Sequence, residues 1–266
     1  MMRTALILFV LIVNTCVAQK ERLYNKAYTH LKKENYEKAI MLLTEVIASD
    51  SKHIAAFNNR AYCYRIKGRY KEAMADVDTV LVLDPDNAMA LKEKSVLCVM
   101  EKEYEKALFW IRKAMESDPT NGKIFNTQGG IYIIQEDYVK AVSALTRAIE
   151  LEPNYDSPYF NRGISYKYLG EYKLAINDLK RSLELDVKSY RAYYEMALCS
   201  EYLKDYPAVV ENYTKALEYY KTTDPYEDTL QRSAFLTGRA NANRALGKYL
   251  LAEQDERKAD RMRKKE

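Results

Sequence analysis

Tyr36 is followed by Tyr70, Tyr104, Tyr138, Tyr172 and Tyr206, and every step is 34 residues. Three residues after each tyrosine stands Ala39, Ala73, Ala107, Ala141, Ala175 and, in the sixth place, Val209. Nothing is inserted or lost across six repeats. A seventh follows after nine extra residues, with Tyr249 and Ala252. This phase lock restricts the chain more than any composition value does. Whatever one repeat folds into, its neighbours fold into as well, and a segment this short buries a core only by stacking on the next.

The spacing inside a repeat predicts two antiparallel helices. In the fourth repeat Phe125, Gln128, Gly129 and Tyr132 fall at helical spacing on a first helix, and Tyr138, Ala141, Leu145 and Ala148 on a second, since residues three or four apart share one helix face. A small residue recurs on the first helix as Ala27, Ala61, Ser95, Gly129, Gly163, Ala197 and Ala240. With the alanine column of the second helix it lets the pair approach closely, and a larger residue there would overpack at about 1–3 kcal/mol. The tyrosine column is expected to fill space between helix pairs with its hydroxyls at a polar edge. Asp84-Pro85, Asp118-Pro119 and Glu152-Pro153 are expected to end second helices, because proline cannot continue one. Composition agrees: 30% charged and 48% hydrophobic residues with only 8 Gly and 6 Pro suit amphipathic helices, not a turn-rich sandwich.

These columns resemble the tetratricopeptide repeat, whose pattern runs W-x2-L-G-x2-Y, then A-x3-F, then P. The fifth repeat reads Tyr159, Arg162-Gly163, Tyr166, Ala175 and Leu179; the second reads Phe57, Arg60-Ala61, Tyr64, Ala73, Val77 and Pro85. Aromatic residues or leucine replace the tryptophan throughout. The first repeat departs most, with His30 in the tyrosine column of its first helix and Ser51 for the proline. The sixth carries Val209 for alanine and Pro207 at the start of its second helix, where proline is tolerated. The resemblance spans residues 20–266 and implies an all-α, right-handed superhelical solenoid of about seven helix-turn-helix repeats. Their approximate bounds are 20–53, 54–87, 88–121, 122–155, 156–189 and 190–223, then an insertion at 224–232 and a terminal repeat at 233–266.

The ends carry different signals. Arg3, the apolar run from Ala5 to Val13, and Cys16 and Ala18 before Gln19 make residues 1–18 read as a secretory signal peptide. The apolar run is too short for a membrane span of roughly 20 residues. Val13-Asn14-Thr15-Cys16 also has a faint likeness to a bacterial lipoprotein box, which would put a lipid anchor on Cys16. The chain is thus expected to be exported, to the bacterial periplasm or cell envelope, lipid-anchored or secreted. Cys63, Cys98 and Cys199 remain; an odd number without a CxxC pair supports neither a disulfide framework nor a zinc site. Residues 222–232 are expected to break the period with a turn and lengthen the helix that follows. The last helix, with Gln254, Asp255, Glu256, Arg257, Lys258, Asp260 and Arg261, is expected to solvate the end of the array.

Candidate chemistry is thin. Catalysis needs convergent acid, base or nucleophile groups, and the two histidines, His30 and His53, stand at different helix positions. Phosphate loops, GxSxG, HExxH and EF-hand patterns are missing from the sequence. No catalytic residue, metal or cofactor is expected. A net charge of +4 is too mild to predict a nucleic-acid partner, and none is expected. The membrane enters only through the Cys16 anchor.

In proteins similar to this one the first helices line a concave face that binds partners. Helical spacing picks the residues that packing does not use: Tyr24 and Tyr28; Asn59, Tyr62 and Arg65; Lys92; Asn126; Phe160, Asn161 and Lys167; and Tyr194. The same spacing also offers Lys32, Asn58, Val96, Lys123, Ile133, Ile164, Tyr168, Arg191, Leu198 and Tyr202. An aromatic surface dotted with amides suits an extended peptide or an amphipathic helix. The same aromatics could instead pack on adjacent first helices, and Asn59 and Asn161 could satisfy a neighbouring repeat. Chaperone-binding relatives hold a carboxylate with lysine, asparagine and arginine at places that here read Tyr24, Tyr28, Asn59, Met89 and Glu93; only the asparagine matches. The expectation is a non-catalytic scaffold that binds a peptide segment of an envelope or secreted protein. The alternatives are a structural subunit using its convex face or ends, and an accessory that positions an enzyme.

Overall fold

The computed structural model describes residues 18–186, 189–220 and 225–264, with the side chains of 225–228 left aside. The described residues form helices and turns only. The first helix, α1, covers residues 18–32. Then come α2 (Tyr36–Ser49), α3 (Ile54–Ile66), α4 (Tyr70–Leu83), α5 (Ala88–Met100) and α6 (Tyr104–Ser117). They are followed by α7 (Gly122–Ile134), α8 (Tyr138–Leu151), α9 (Asp156–Tyr168), α10 (Tyr172–Leu185), α11 (Tyr190–Tyr202), α12 (Tyr206–Tyr219), α13 (Pro225–Ala245) and α14 (Tyr249–Arg263). The chain divides into two compact units, Met1–Thr120 and Asn121–Glu266. Within each unit helices pack in chain order. First helices also touch the next first helix: α3 meets α5 in the N-terminal unit, and α7 meets α9 and α9 meets α11 in the C-terminal unit.

The tyrosine column marks the first residue of each second helix. The residue before it often caps the helix: the Asn35, Asp137 and Asp205 side chains accept from the amides of Lys38, Lys140 and Ala208, which satisfies an amide that has no partner inside the helix. Two residues before the tyrosine the backbone turns left-handed, at Gly68, Gly170 and Gly247, but also at Glu34, Lys102, Glu136 and Lys204. Pro207 sits in the first turn of α12, as expected.

The close approach of paired helices follows from the two small columns. Ala39, Ala73, Ala107, Ala141, Ala175, Val209 and Ala252 have no exposed surface. Opposite them, a Cβ added at Gly129 would stand 2.5 Å from Leu145 Cγ, and one at Gly163 would stand 2.9 Å from Leu179 Cγ.

Two features refine the expectations and a third differs from them. The tyrosine column lies between repeats at the rim: Tyr70 is 39% and Tyr249 69% exposed, and the others are half-buried. A residue that opens a helix lies at the rim of the pair, so its ring covers the neighbouring repeat without being enclosed. Tyr138 stacks on Tyr168 at 4.7 Å and Tyr172 on Tyr202 at 4.6 Å, each on the first helix of the next repeat. Second, residues 225–232 of the expected insertion lengthen the helix that follows, as expected. They form the opening turns of α13, which runs for 21 residues where α11 has 13. Third, Asp255 is not part of a solvated cap; it is 4% exposed and takes both Nε and Nη2 of Arg239 at 2.8 Å. The expected leader at 1–18 and the anchor Cys16 lie outside the described residues, apart from Ala18 at the head of α1.

Candidate functional site

In the N-terminal unit the predicted residues divide into engaged and open ones. Asn59 Nδ2 on α3 donates to Tyr24 Oη on α1 at 2.9 Å. Burial pushes the Tyr24 hydroxyl above its ordinary pKa, against the pull of that bond. Tyr62 is half-buried and meets Tyr36 edge-on at 6.3 Å. Arg65 lies over the Tyr62 ring and forms an ion pair with Glu93, which is 4% exposed on α5. Lys92 is half-buried beside it in sequence. Tyr28 stays 41% exposed on α1, with the Lys32 ammonium 4.9 Å from its ring centre.

In the C-terminal unit the structure gathers more of the predicted set. Asn161 donates to Asn126 Oδ1 at 3.0 Å, and Asn126 donates to Tyr155 Oη at 3.3 Å, a ladder across successive repeats. Phe160, Asn161 and Tyr194 line one cavity of about 490 Å³, together with Ile133, Ile164, Tyr190, Arg191, Glu195 and Gln231. These side chains come from α7, α9 and α11, with Gln231 from the extended α13. Tyr194 and Phe160 are half-buried; Tyr194 packs at 5.2 Å from the buried Phe235. The cavity mixes apolar walls with two amides, a guanidinium and a carboxylate, the balance that lets a site bury a ligand and fix its orientation.

Glu195 on the wall of this cavity pairs with Lys167 at 2.7 Å. Burial alone would lower the Lys167 ammonium; the hydrogen bond and charge of Glu195 outweigh it and hold it above its ordinary value. Beyond the pair a second cavity of about 590 Å³ is lined by Lys167, Tyr168, Tyr172, Leu198, Glu201 and Tyr202.

Sequence reasoning missed a recurring clamp. Arg60 grips Asp76 through Nε and Nη2 at 2.8 and 2.7 Å and reaches Thr44 with Nη1 at 3.0 Å. Arg162 does the same with Asp178 and Thr146, and Arg239 with Asp255 and Thr214. Each arginine thus ties both helices of its repeat to the second helix before it. A bidentate arginine–carboxylate pair is among the stronger side-chain interactions. The signal was present in the sequence as Arg and Asp 16 residues apart in the second, fifth and seventh repeats.

Cys63, Cys98 and Cys199 are buried and free. Among the described residues no group of three His, Cys, Asp or Glu is placed to hold a metal ion. No described helix is long and apolar enough to cross a membrane.

Sequence profiles described as "Tetratricopeptide repeat" match residues 24–88 and, separately, residues 122–155 and 157–187. No curated protein sequence matches the chain. Among solved structures, Pseudomonas aeruginosa pilF is 20% identical with a TM-score of 0.68, over 79% of this chain and 91% of that one. A tetratricopeptide repeat protein from Parabacteroides merdae is 18% identical with a TM-score of 0.59, over 91% and 93%. YrrB, described as having an unusual peptide-binding site, is 23% identical with a TM-score of 0.50, over 66% and 91%. At these identities the likeness speaks for the fold.

Proposed function

Because the chain belongs to the tetratricopeptide repeat proteins, we propose that it is a non-catalytic scaffold whose C-terminal unit holds a peptide segment of another protein against α7, α9 and α11. The observation that carries this reading is the cavity of about 490 Å³ where Ile133, Phe160, Ile164 and Tyr194 face Asn161, Arg191 and Glu195. Apolar side chains of a peptide would be buried on the aromatic and branched walls, while the amide and charged groups meet its backbone and polar atoms. The internal bonds of Asn126, Asn161 and Lys167 hold the walls in place before binding, which leaves the ordering cost with the ligand. The partner is an envelope or secreted protein, and the leader sequence at residues 1–18 supports that compartment.

A photo-cross-linking amino acid at Ile164, compared with one at Phe109, tests the reading in the native compartment. Phe109 is 45% exposed on the second helix α6. A defined adduct from position 164 is expected. An adduct from position 109 alone would transfer the site to the second helices, the surface a structural subunit would use; exposed Met41, Val82 and Phe109 on α2, α4 and α6 favour that second reading. The mass of the mature N-terminus tests the address: Gln19 marks a cleaved soluble form, and acylated Cys16 an anchored one.

A further inference from the structure

The second cavity of the C-terminal unit has an electrostatic imbalance that the peptide reading leaves unused. The one cation on its wall, Lys167, is already paired with Glu195 at 2.7 Å. Glu201 is left over. Its one hydrogen bond comes from Tyr213 Oη at 3.1 Å, and no cation pairs with it among the described residues. Tyr213 is 3% exposed, so the bond fixes the carboxylate from behind. Burial raises the Glu201 carboxyl above its ordinary pKa and the Tyr213 bond only partly offsets this, as expected for an acid without a counter-charge.

The groups around Glu201 share one preference. Tyr168 and Tyr202 stand at the ends of α9 and α11, 57% and 66% exposed, and each is braced by a stacked tyrosine, Tyr138 and Tyr172. Stacked rings lose little further freedom on binding a ligand. Leu198 supplies an apolar wall and Tyr168, Tyr172 and Tyr202 supply ring surface with hydroxyls. An aliphatic stem ending in a planar cation would use all of these at once: the stem against Leu198 and the rings, the cation against the carboxylate.

Resting on the proposal that the C-terminal unit binds a peptide, we propose that the cavity formed by Lys167, Tyr168, Tyr172, Leu198, Glu201 and Tyr202 is a pocket for an arginine side chain of that peptide, with Glu201 as its counter-ion. Arginine fits better than lysine because its guanidinium is planar, stacks on aromatic rings and meets a carboxylate through two N–H groups. The cavity adjoins the first one across the Lys167–Glu195 pair, so one extended segment would fill both.

Selection of a displayed random 12-residue peptide library on the full chain tests this. Recovered peptides are expected to be enriched in arginine, and the enrichment is expected to disappear on Glu201→Gln, which can still accept the Tyr213 bond. For one recovered peptide, its Arg→Gln form and Glu201→Gln should each weaken binding about tenfold to a hundredfold, and the two together no further. Tyr202→Ala, at an exposed position, should weaken the arginine peptide and leave the glutamine form unchanged. Recovered peptides without arginine enrichment, or additive losses in the double change, would overturn the arginine pocket and leave the peptide reading standing. Recovery of no peptide at all would overturn the peptide reading and the pocket with it.

Discussion

Adjacent glycines on α7 offer a test of the packing argument with opposite signs. A Cβ at Gly129 would lie 2.5 Å from Leu145 Cγ and 2.7 Å from Cδ2, whereas one at Gly130 meets nothing within 4 Å. Both residues sit in helical backbone, where alanine is favoured over glycine by about 1 kcal/mol. Carbon atoms pack at about 3.5–4.0 Å, so Gly129→Ala must displace Leu145 or α8 by roughly 1 Å. Leu145 has no exposed surface. Overpacking of this kind costs about 1–3 kcal/mol. Gly130→Ala should therefore stabilise by up to about 1 kcal/mol, while Gly129→Ala loses between nothing and about 2 kcal/mol after its own helix gain. The difference between the two variants isolates the contact at about 1–3 kcal/mol, or several degrees in the unfolding midpoint for a chain of this size.

Urea unfolding followed by circular dichroism reads the difference, and amide exchange along α7 and α8 shows whether the loss is local. Leu145→Ala provides the control. With the leucine branch removed, Gly129→Ala should change sign and become stabilising, since the added methyl enters the space left behind. Equal stabilities for the two glycine variants, or an unchanged sign on the Leu145→Ala background, would refute the claim that the small column sets the helix spacing.

Three further outcomes follow from the same geometry. Asp178→Ala strands the Arg162 guanidinium, whose side chain is 17% exposed, and should cost roughly 3 kcal/mol. Replacing both by leucine should cost much less, and equal losses in unfolding would reject the clamp. Burial raises the Cys63 and Cys199 thiols to about 12, so a thiol reagent at pH 8 should label neither until urea unfolds the chain. Their contribution to stability is full below the unfolded thiol pKa of about 8.5 and should be lost as pH rises from there through about 12, read as falling urea midpoints. Glu136 has φ 59° where Gly170 holds the equivalent turn, so Glu136→Gly should stabilise by about 1 kcal/mol; a loss of stability in thermal unfolding would show that the side chain matters more than the backbone.

The helix phase was legible because two periodic columns report directly on local structure. The tyrosine opens each second helix and the alanine three residues later touches the partner helix. What the columns could not give is how far a side chain reaches between repeats. Asp255 sits in a run of charges and looks solvated, yet its neighbour across the helix pair is Arg239. The tyrosines recur as regularly as core residues, yet a helix-opening residue is held at a rim. The opening turns of α13 start on Pro225, a residue tolerated in a first turn, and give the lengthened helix that the interrupted period leads one to expect.

The same reach explains why the predicted site divided as it did. Asn59, Arg65, Asn126, Asn161 and Lys167 are polar residues on first helices, outside the intrahelix packing columns. In the structure each bonds to a residue about one repeat away. First helices pack on first helices, so a polar residue on that surface is within reach of the next repeat before any ligand arrives. Substituting one of these amides would loosen the array and weaken a ligand together, and the two effects could not be separated. The residues that report on binding alone are those whose polar or aromatic surface is left over after the repeats have satisfied one another. Glu201, with a single side-chain hydrogen bond among the described residues, meets that condition, and Tyr202, 66% exposed, keeps open surface beyond its stack on Tyr172. Tyr28, 41% exposed on α1, meets it in the N-terminal unit. A variant there that keeps the unfolding curve of the parent and loses a partner assigns the loss to recognition, which no change at Asn161 can do.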